Sequence, residues 1–274
     1  MSHHANPSRQ STIELCKRIL DSIENSPFRG RGLHVTAKDF SAIEGLENLR
    51  IDFGDLDLAT GEHADGSAKF FQPIPPDRVY SLLKQYGMEG CGEPSHPVTS
   101  SDYGARGLVA DIHDYEDLAV YLSWDDAKFF DKVDKWSEIL GSGQKQPYLS
   151  DAHDAANGET HSSGVLLSWF MPEDKQLTLV ELTYIASITL EKLSEYEFQS
   201  HKICPVLILY AAHRSIRIIS ALVDGDTSTV RVYGTGFVNF DNVDFEITEK
   251  GLEQSDKSAQ VVGWAYNKPC GNTK

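Results

Sequence analysis

The chain has 274 residues, 41 acidic against 25 basic side chains for a net charge of −16, and is 40% hydrophobic and 10% aromatic. That composition supports a packed core and excludes a disordered chain, and no apolar run approaches the ~18–20 residues of a membrane-spanning helix. A surface this acidic disfavours nucleic acid and anionic membranes as partners, because both recruit cations.

Residues 1–10 (MSHHANPSRQ) lack the hydrophobic region of a secretory signal and read as a flexible tail. A helix is expected from Ser11, where Ser11 and Glu14 have capping-box spacing. Ile13, Cys16, Leu20 and Ile23 recur at helical intervals, and Asn25, Pro27 and Gly30 close the segment. Ser41 to Leu49 reads as a short helix and Arg50 to Phe53 as a strand, followed by a loop over 59–72. Pro75 and Pro76 preset the next helix, with Val79, Leu82, Leu83 and Tyr86 inward and Gly87 as its stop. The chain from 11 to 274 reads as one α+β domain; any sub-boundary falls in the Gly/Pro/Ser-rich loop 88–104. Gly107 to His113 reads as a strand, and a helix from about Ser123 carries Phe129, Val133, Trp136 and Leu140 on one face. Residues 141–163 read as a long polar loop.

From Gly164 the pattern turns to strands. VLLSWF and LTLVELTYI are expected to pair across the turn-like Pro172-Glu173-Asp174, with a helix from Thr189 to Gln199 after them. Residues 201–240 form the densest apolar, β-branched stretch. Val206 to Tyr210 has no polar interruption and suits a central strand covered on both faces. Arg214 to Val223 is the next strand, with Arg217 on the face of Ile219, Ala221 and Val223; Asp224-Gly225 supplies a turn, and Thr229 to Tyr233 resumes alternation. Over 164–240 the expected order is β-β-α-β-β-β, a mixed or antiparallel sheet with N-terminal helices packed on it. Val262, Trp264 and Tyr266 suggest one last strand.

Four groups of residues are candidates for chemistry. Asp151, His153, Asp154, Glu159 and His161 lie within one short polar stretch, and Asp111 and His113 stand two apart on a strand. These side chains suit zinc or iron. Their spacing matches no compact ligand motif, and a solvated polar loop with an edge-strand histidine is the simpler account, so no metal or other cofactor is assigned. A second pattern resembles the PD-(D/E)xK nuclease core, with Pro172-Glu173 ahead of a strand bearing Glu181. Such carboxylates would hold Mg²⁺ at a phosphate, but Thr183 stands where that pattern needs lysine. An inactive relative is the most this pattern supports.

Arg214, Arg217 and Arg231, with His213 at the intervening turn, form the third group. Guanidiniums gathered on one sheet face could clamp a carboxylate or phosphate; pairing with the chain's own acids is the simpler alternative. Glu181 beside these arginines, with His213, is the best catalytic candidate. The fourth group is the four scattered cysteines, Cys16, Cys91, Cys204 and Cys270, with no CxxC and no nucleophile motif. They are expected to be reduced thiols of an intracellular, cytoplasmic protein. Nucleotide-binding glycine signatures are absent from the sequence.

Two stretches carry a resemblance: HKICPVLILYAAHRSIRIISALVDGD and the closing GWAYNKPCGNTK. In Pro205-Val206-Leu207, in the arginine-bearing strand leading to Asp224-Gly225, and in Trp264 with Pro269, Gly271, Asn272 and Thr273, the chain resembles a group of uncharacterised proteins from filamentous fungi. The resemblance covers about a quarter of the chain. It implies a fungal origin and brings no assigned activity.

The sequence therefore describes an acidic intracellular α+β protein. The expected function is a binding or accessory role toward a protein or small molecule. The alternative is a small-molecule enzyme, of the kind found in fungal specialised metabolism, working near Glu181 and the Arg214/Arg217/Arg231 face.

Overall fold

The structure is a computed structural model that describes residues 6–28, 37–85, 124–126, 148–156, 158–168, 170–213, 215–239 and 256–274. The first helix, α1 (Pro7–Glu24), begins earlier than its Ser11/Glu14 spacing suggests. Asn6 is the N-cap, its side chain accepting the Ser8 N–H at 3.2 Å, and Pro7 takes the first helical position, where a missing N–H costs nothing. Ser11 is an interior residue whose hydroxyl donates to the Pro7 carbonyl at 3.0 Å. Residues 7–10, expected in a tail, are therefore helical. The expected apolar face is the buried one: Ile13, Cys16, Leu20 and Ile23, joined by Leu15 and Ile19.

A 3₁₀ turn (Ala37–Ala42) overlaps only the first two residues of the helix expected over Ser41–Leu49, whose other residues form turns, and leads to β1 (Arg50–Asp55). A two-residue strand β2 (Phe71–Gln72) precedes α2 (Pro76–Gln85). The strands β3 (Trp124–Asp126), β4 (Tyr148–Ala155) and β5 (Ser162–Ser168) follow, then α3 (Leu179–Ser194). The central block supplies β6 (Val206–Ala212), β7 (Ser215–Asp224), β8 (Thr229–Gly234) and the short β9 (Val238–Asn239). The chain closes with α4 (Asp256–Ala265) and β10 (Lys268–Pro269), which pairs with β2.

The main sheet is mixed and eight-stranded, in the order β1-β8-β7-β6-β5-β4-β3, with β9 on β7 beside Ser215 and Ile216. The β1–β8 and β5–β6 pairs are parallel; the other neighbours are antiparallel. The fold class is α+β, as the sequence indicates. The sheet reaches beyond residues 164–240, because β1, β3 and β4 belong to it. As its unbroken apolar run suggests, β6 is central and buried along its whole length. One face of the sheet packs under α1 and α3, where Ile208, Tyr210, Ile219, Val223 and Val232 meet Ile19, Ile185 and Ile188. On the other face, Leu207, Leu209, Ile218 and Leu222 lie with Val261, Val262 and Trp264 of α4, which packs on α2.

Several expected elements change type. LTLVELTYI is not a strand; it is the first half of α3. The observed order over 164–240 is thus β-α-β-β-β-β, counting the short β9, with β5 and β6 brought parallel by the helical crossover. Every residue from Leu179 to Thr189 is buried, so no polar face marks the helical period, and short apolar runs of that kind do not declare their type. Trp124–Asp126 is a strand where a helix start was expected; the rest of that expected helix lies outside the described residues. The polar stretch 141–163 contains all of β4 and the start of β5. Val262 and Trp264 lie in α4, and the Trp264 indole N–H donates to the Leu58 carbonyl at 2.7 Å. The loop 88–104 and the expected strand 107–113 lie outside the described residues.

Candidate functional site

The candidate residue Glu181 sits in the first turn of α3. Thr178 and Glu181 form a reciprocal capping box: the Thr178 Oγ1 accepts the Glu181 N–H at 3.2 Å, and Glu181 Oε2 accepts the Thr178 N–H at 2.8 Å. The Thr178 hydroxyl also donates to Oε2, at 2.8 Å. The other oxygen, Oε1, accepts from Arg217 on β7, from Nε at 3.1 Å and again from Nη2. Arg217 is 1% exposed and Glu181 fully buried. The guanidinium lies 5.1 Å from the ring centres of both Tyr210 and Phe237, within cation–π range. Burial and the nearby Glu181 charge push the Tyr210 hydroxyl well above its ordinary range, and that hydroxyl donates to the Phe170 carbonyl. Every acceptor of Glu181 is thus engaged by the protein itself.

A second buried pair holds the opposite end of the same helix. Lys192, in the last turn of α3, places its ammonium 2.9 Å from Asp154 Oδ2 of β4, and Ser162 Oγ donates to Oδ1 at 2.8 Å. The Lys192 ammonium also lies 4.6 Å from the Phe198 ring centre. An acid at the helix N-terminus and a base at its C-terminus have the signs that the helix dipole favours. Both reach into the sheet, so α3 is fastened to it at each end.

Among the described residues the expected arginine face is not assembled. Arg231 pairs in register with Leu222, on the face opposite Arg217, because alternate strand residues point to opposite sides. It is partly exposed and bonds Asp224 Oδ2 at 3.1 Å. Arg214 lies outside the described residues. His213 is exposed at the β6–β7 turn, with a left-handed φ of 52° that histidine tolerates better than most residues. Glu181 stands on a helix, so the strand carboxylate of the nuclease-like pattern is not formed by it.

The histidine-rich stretch is split between elements. Asp151, His153 and Asp154 belong to β4, while Glu159 and His161 lie in the connection to β5. Asp154 points to the α3 face, where Lys192 holds it. His153 is buried opposite Ser163 of β5 in register. His161 bonds the Cys270 carbonyl through Nε2 at 2.7 Å, and burial pushes its pKa down to about 4. Asp111 and His113 lie outside the described residues, and among the described residues no three His, Cys, Asp or Glu side chains are grouped to hold a metal ion. Cys16, Cys204 and Cys270 are free thiols. Burial pushes the Cys204 thiol up to about 12 and raises the Cys16 and Cys270 thiols also.

One constellation has no forerunner among the candidates read from sequence. The loop after β1 folds so that the ring of His63 stacks flat on Tyr233 of β8, with centres 3.6 Å apart and planes 2° from parallel. Ser67 Oγ lies 2.9 Å from His63 Nδ1 and 2.9 Å from the Tyr233 hydroxyl. The Tyr233 hydroxyl in turn lies 3.2 Å from Asp65 Oδ2. His63 and Tyr233 are buried; Ser67 and Asp65 are exposed. Desolvation lowers the His63 pKa, and hydrogen bonds from Ser67 hold the Asp65 carboxyl below its usual range. The only local sign of this in sequence is Asp65-Gly66-Ser67, a turn signal; the partner residue lies on a strand 166 positions away.

No family model, no curated protein and no solved structure matches this chain. No described helix is long and apolar enough to cross a membrane.

Proposed function

We propose that the chain is a binding or accessory protein, and that the acids and bases of its sheet core serve the fold. The observation that carries this reading is the saturation of Glu181. One oxygen caps α3 and the other binds Arg217, both out of contact with solvent. A general acid or base must reach the proton it transfers, and among the described residues Glu181 reaches only Thr178 and Arg217. The acidic composition and the buried, high-pKa thiols Cys16 and Cys204 agree with a reducing, cytoplasmic setting and with a protein or small-molecule partner. The test is incubation of the purified chain with pooled metabolites, reading both retention and depletion by mass spectrometry. Retention of a compound without its depletion is the expected result. Depletion lost in Glu181→Gln, with the variant still folded by circular dichroism, would overturn the reading.

A further inference from the structure

We propose that the lysines around the closing segment, Lys202, Lys268 and Lys274 with Lys69 beside them, form a docking surface for an acidic peptide segment of a partner protein. The inference rests on the binding role and deepens it by naming the chemistry of the partner. Two observations carry it.

The first is proximity. The Cys270 N–H donates to the Phe70 carbonyl at 2.9 Å, and the Cys270 thiol lies 3.6 Å from the Lys69 carbonyl, so Lys69 stands beside Cys270 as Lys268 does in sequence. The Lys202 N–H donates to the Thr273 carbonyl at 2.8 Å, which sets Lys202 beside Thr273 and Lys274. Cys270 and Thr273 are three residues apart, a span of at most roughly 11 Å. That is comparable with the ~10 Å screening length of ordinary buffer salt, so one short peptide feels all four charges. The stems also start from a fixed backbone. Thr273 Oγ1 lies 2.6 Å from His201 Nδ1 and donates to Glu159 Oε2 at 3.1 Å, and β10 is paired with β2.

The second observation is that these cations are unpaired. In a chain with 41 acidic and 25 basic residues, surface cations have acids to draw on: Arg50 pairs with Asp52, Lys175 with Asp55 and Arg231 with Asp224. None of the four lysines makes an ion pair among the described residues. Lys202, Lys268 and Lys274 are exposed; Lys69 is half-buried, with its ammonium 3.3 Å from the Thr60 carbonyl. Residues 267–274, NKPCGNTK, contain no acid. Glu159 does reach the segment, and its Oε2 accepts the Thr273 hydroxyl.

The rest of the surface decides the partner. A net charge of −16 repels an extended polyanion such as nucleic acid along most of its length. A short run of Asp and Glu engages the lysines alone. Ammonium groups on flexible stems hold carboxylates as point charges, so the charge of the peptide matters more than its order of residues.

The test uses the whole chain and a fluorescein-labelled octaglutamate peptide, read by fluorescence anisotropy. Binding is expected at low salt and should weaken as salt rises. Lys268→Glu/Lys274→Glu should raise the Kd roughly tenfold, because each reversal turns a surface attraction into a repulsion. Lys17 and Arg18 are exposed on α1, which covers the other face of the sheet. Lys17→Glu/Arg18→Glu makes the same change in net charge there and should shift the Kd by less than about twofold. Acetylation of the native chain, mapped by peptide mass spectrometry, needs no variant to fold: the peptide should protect Lys202, Lys268 and Lys274 and leave Lys17 reactive. No binding at low salt, equal losses in the two double variants, or protection spread evenly over the lysines would each overturn the inference. Tighter binding of an oligodeoxythymidylate of equal charge would overturn the choice of an acidic peptide. These failures leave retention of a small molecule, and so the binding role, standing; depletion of a metabolite would end the binding role without touching the peptide result.

Discussion

Glu181 and Arg217 form a closed ion pair that joins the first turn of α3 to the middle of the sheet, with Oε1 accepting from Nε at 3.1 Å and both side chains out of contact with solvent. The same carboxylate caps the helix through Oε2. Helix start and helix docking therefore depend on one residue. Removing one partner strands the other as a buried charge, which costs about 3–5 kcal/mol. Urea denaturation should show Glu181→Gln and Arg217→Met each destabilised on that scale. The double variant should lose much less than the two losses combined, because it leaves neither charge stranded. Additive losses would mean that the two residues do not act as a unit.

Gly225 follows β7, and its role is close approach. A Cβ there would overlap the Ser11–Thr12 peptide of α1, and the Gly225 N–H donates to Thr12 Oγ1 at 3.2 Å. Gly225→Ala must push α1 away from the sheet, at a cost of about 1–3 kcal/mol. Cys16, on the buried face of α1, reports the movement. Native Cys16 and Cys204 should resist Ellman's reagent near pH 8, since burial raises both thiols. Gly225→Ala should speed the reaction of Cys16. Gly66→Ala, with φ of 70° but no atom of the described residues within 4 Å of the added Cβ, should cost roughly 1 kcal/mol of backbone strain and leave Cys16 slow.

Legibility in the sequence followed the range of the signal. β6, β7, β8 and the apolar face of α1 rest on alternation or periodicity within a few residues, and these were readable. In α3 that signal is absent because every residue from Leu179 to Thr189 is buried, and β-branched content misleads. The capping-box spacing Thr178-x-x-Glu181 is a helix signal that the strand reading of LTLVELTYI leaves out of account. The candidate site failed for a different reason. Arg217 and Arg231 occupy opposite faces only because Leu222 pairs with Arg231, and a single sequence does not print that register. The reach from Ser67 to Tyr233 is likewise set by the fold alone.

Arg9 and Lys192 supply a further test of how α3 is held. Arg9 Nη2 donates to the Leu193 carbonyl and, at 3.4 Å, to that of Glu195, so α1 brings a cation to the C-terminal end of α3. Arg9 is only 9% exposed. Arg9→Met keeps much of the side-chain packing and removes the donors. It should cost about 1–3 kcal/mol, the scale of hydrogen bonds from charged groups. Hydrogen exchange should show the loss at the last turn of α3, with β6 still protected; uniform loss of protection would show that Arg9 acts on the whole fold.

Acid should loosen the closing segment through His161. Its Nε2–H donates to the Cys270 carbonyl, while Nδ1 is buried without a partner among the described residues, with the Phe71 ring 5.5 Å away edge-on and the Phe70 ring at 6.3 Å. Protonation adds a charge at Nδ1 with no acceptor, and burial therefore lowers the pKa from an ordinary 6.5 to about 4. The sign follows from proton counting: between these values the unfolded chain binds the proton that the folded chain refuses. Stability contributed by neutral His161 is full above about pH 6.5, falls as pH drops toward 4, and is lost below it, with a total of roughly 3 kcal/mol. His201, whose Nδ1 lies 2.6 Å from Thr273 Oγ1, is shifted the same way by burial and adds to the effect. His161→Gln can still donate to the Cys270 carbonyl but does not titrate. Denaturation midpoints between pH 4 and 7 should therefore slope steeply in the native chain and more gently in His161→Gln. Equal slopes would show that acid sensitivity arises elsewhere in the chain.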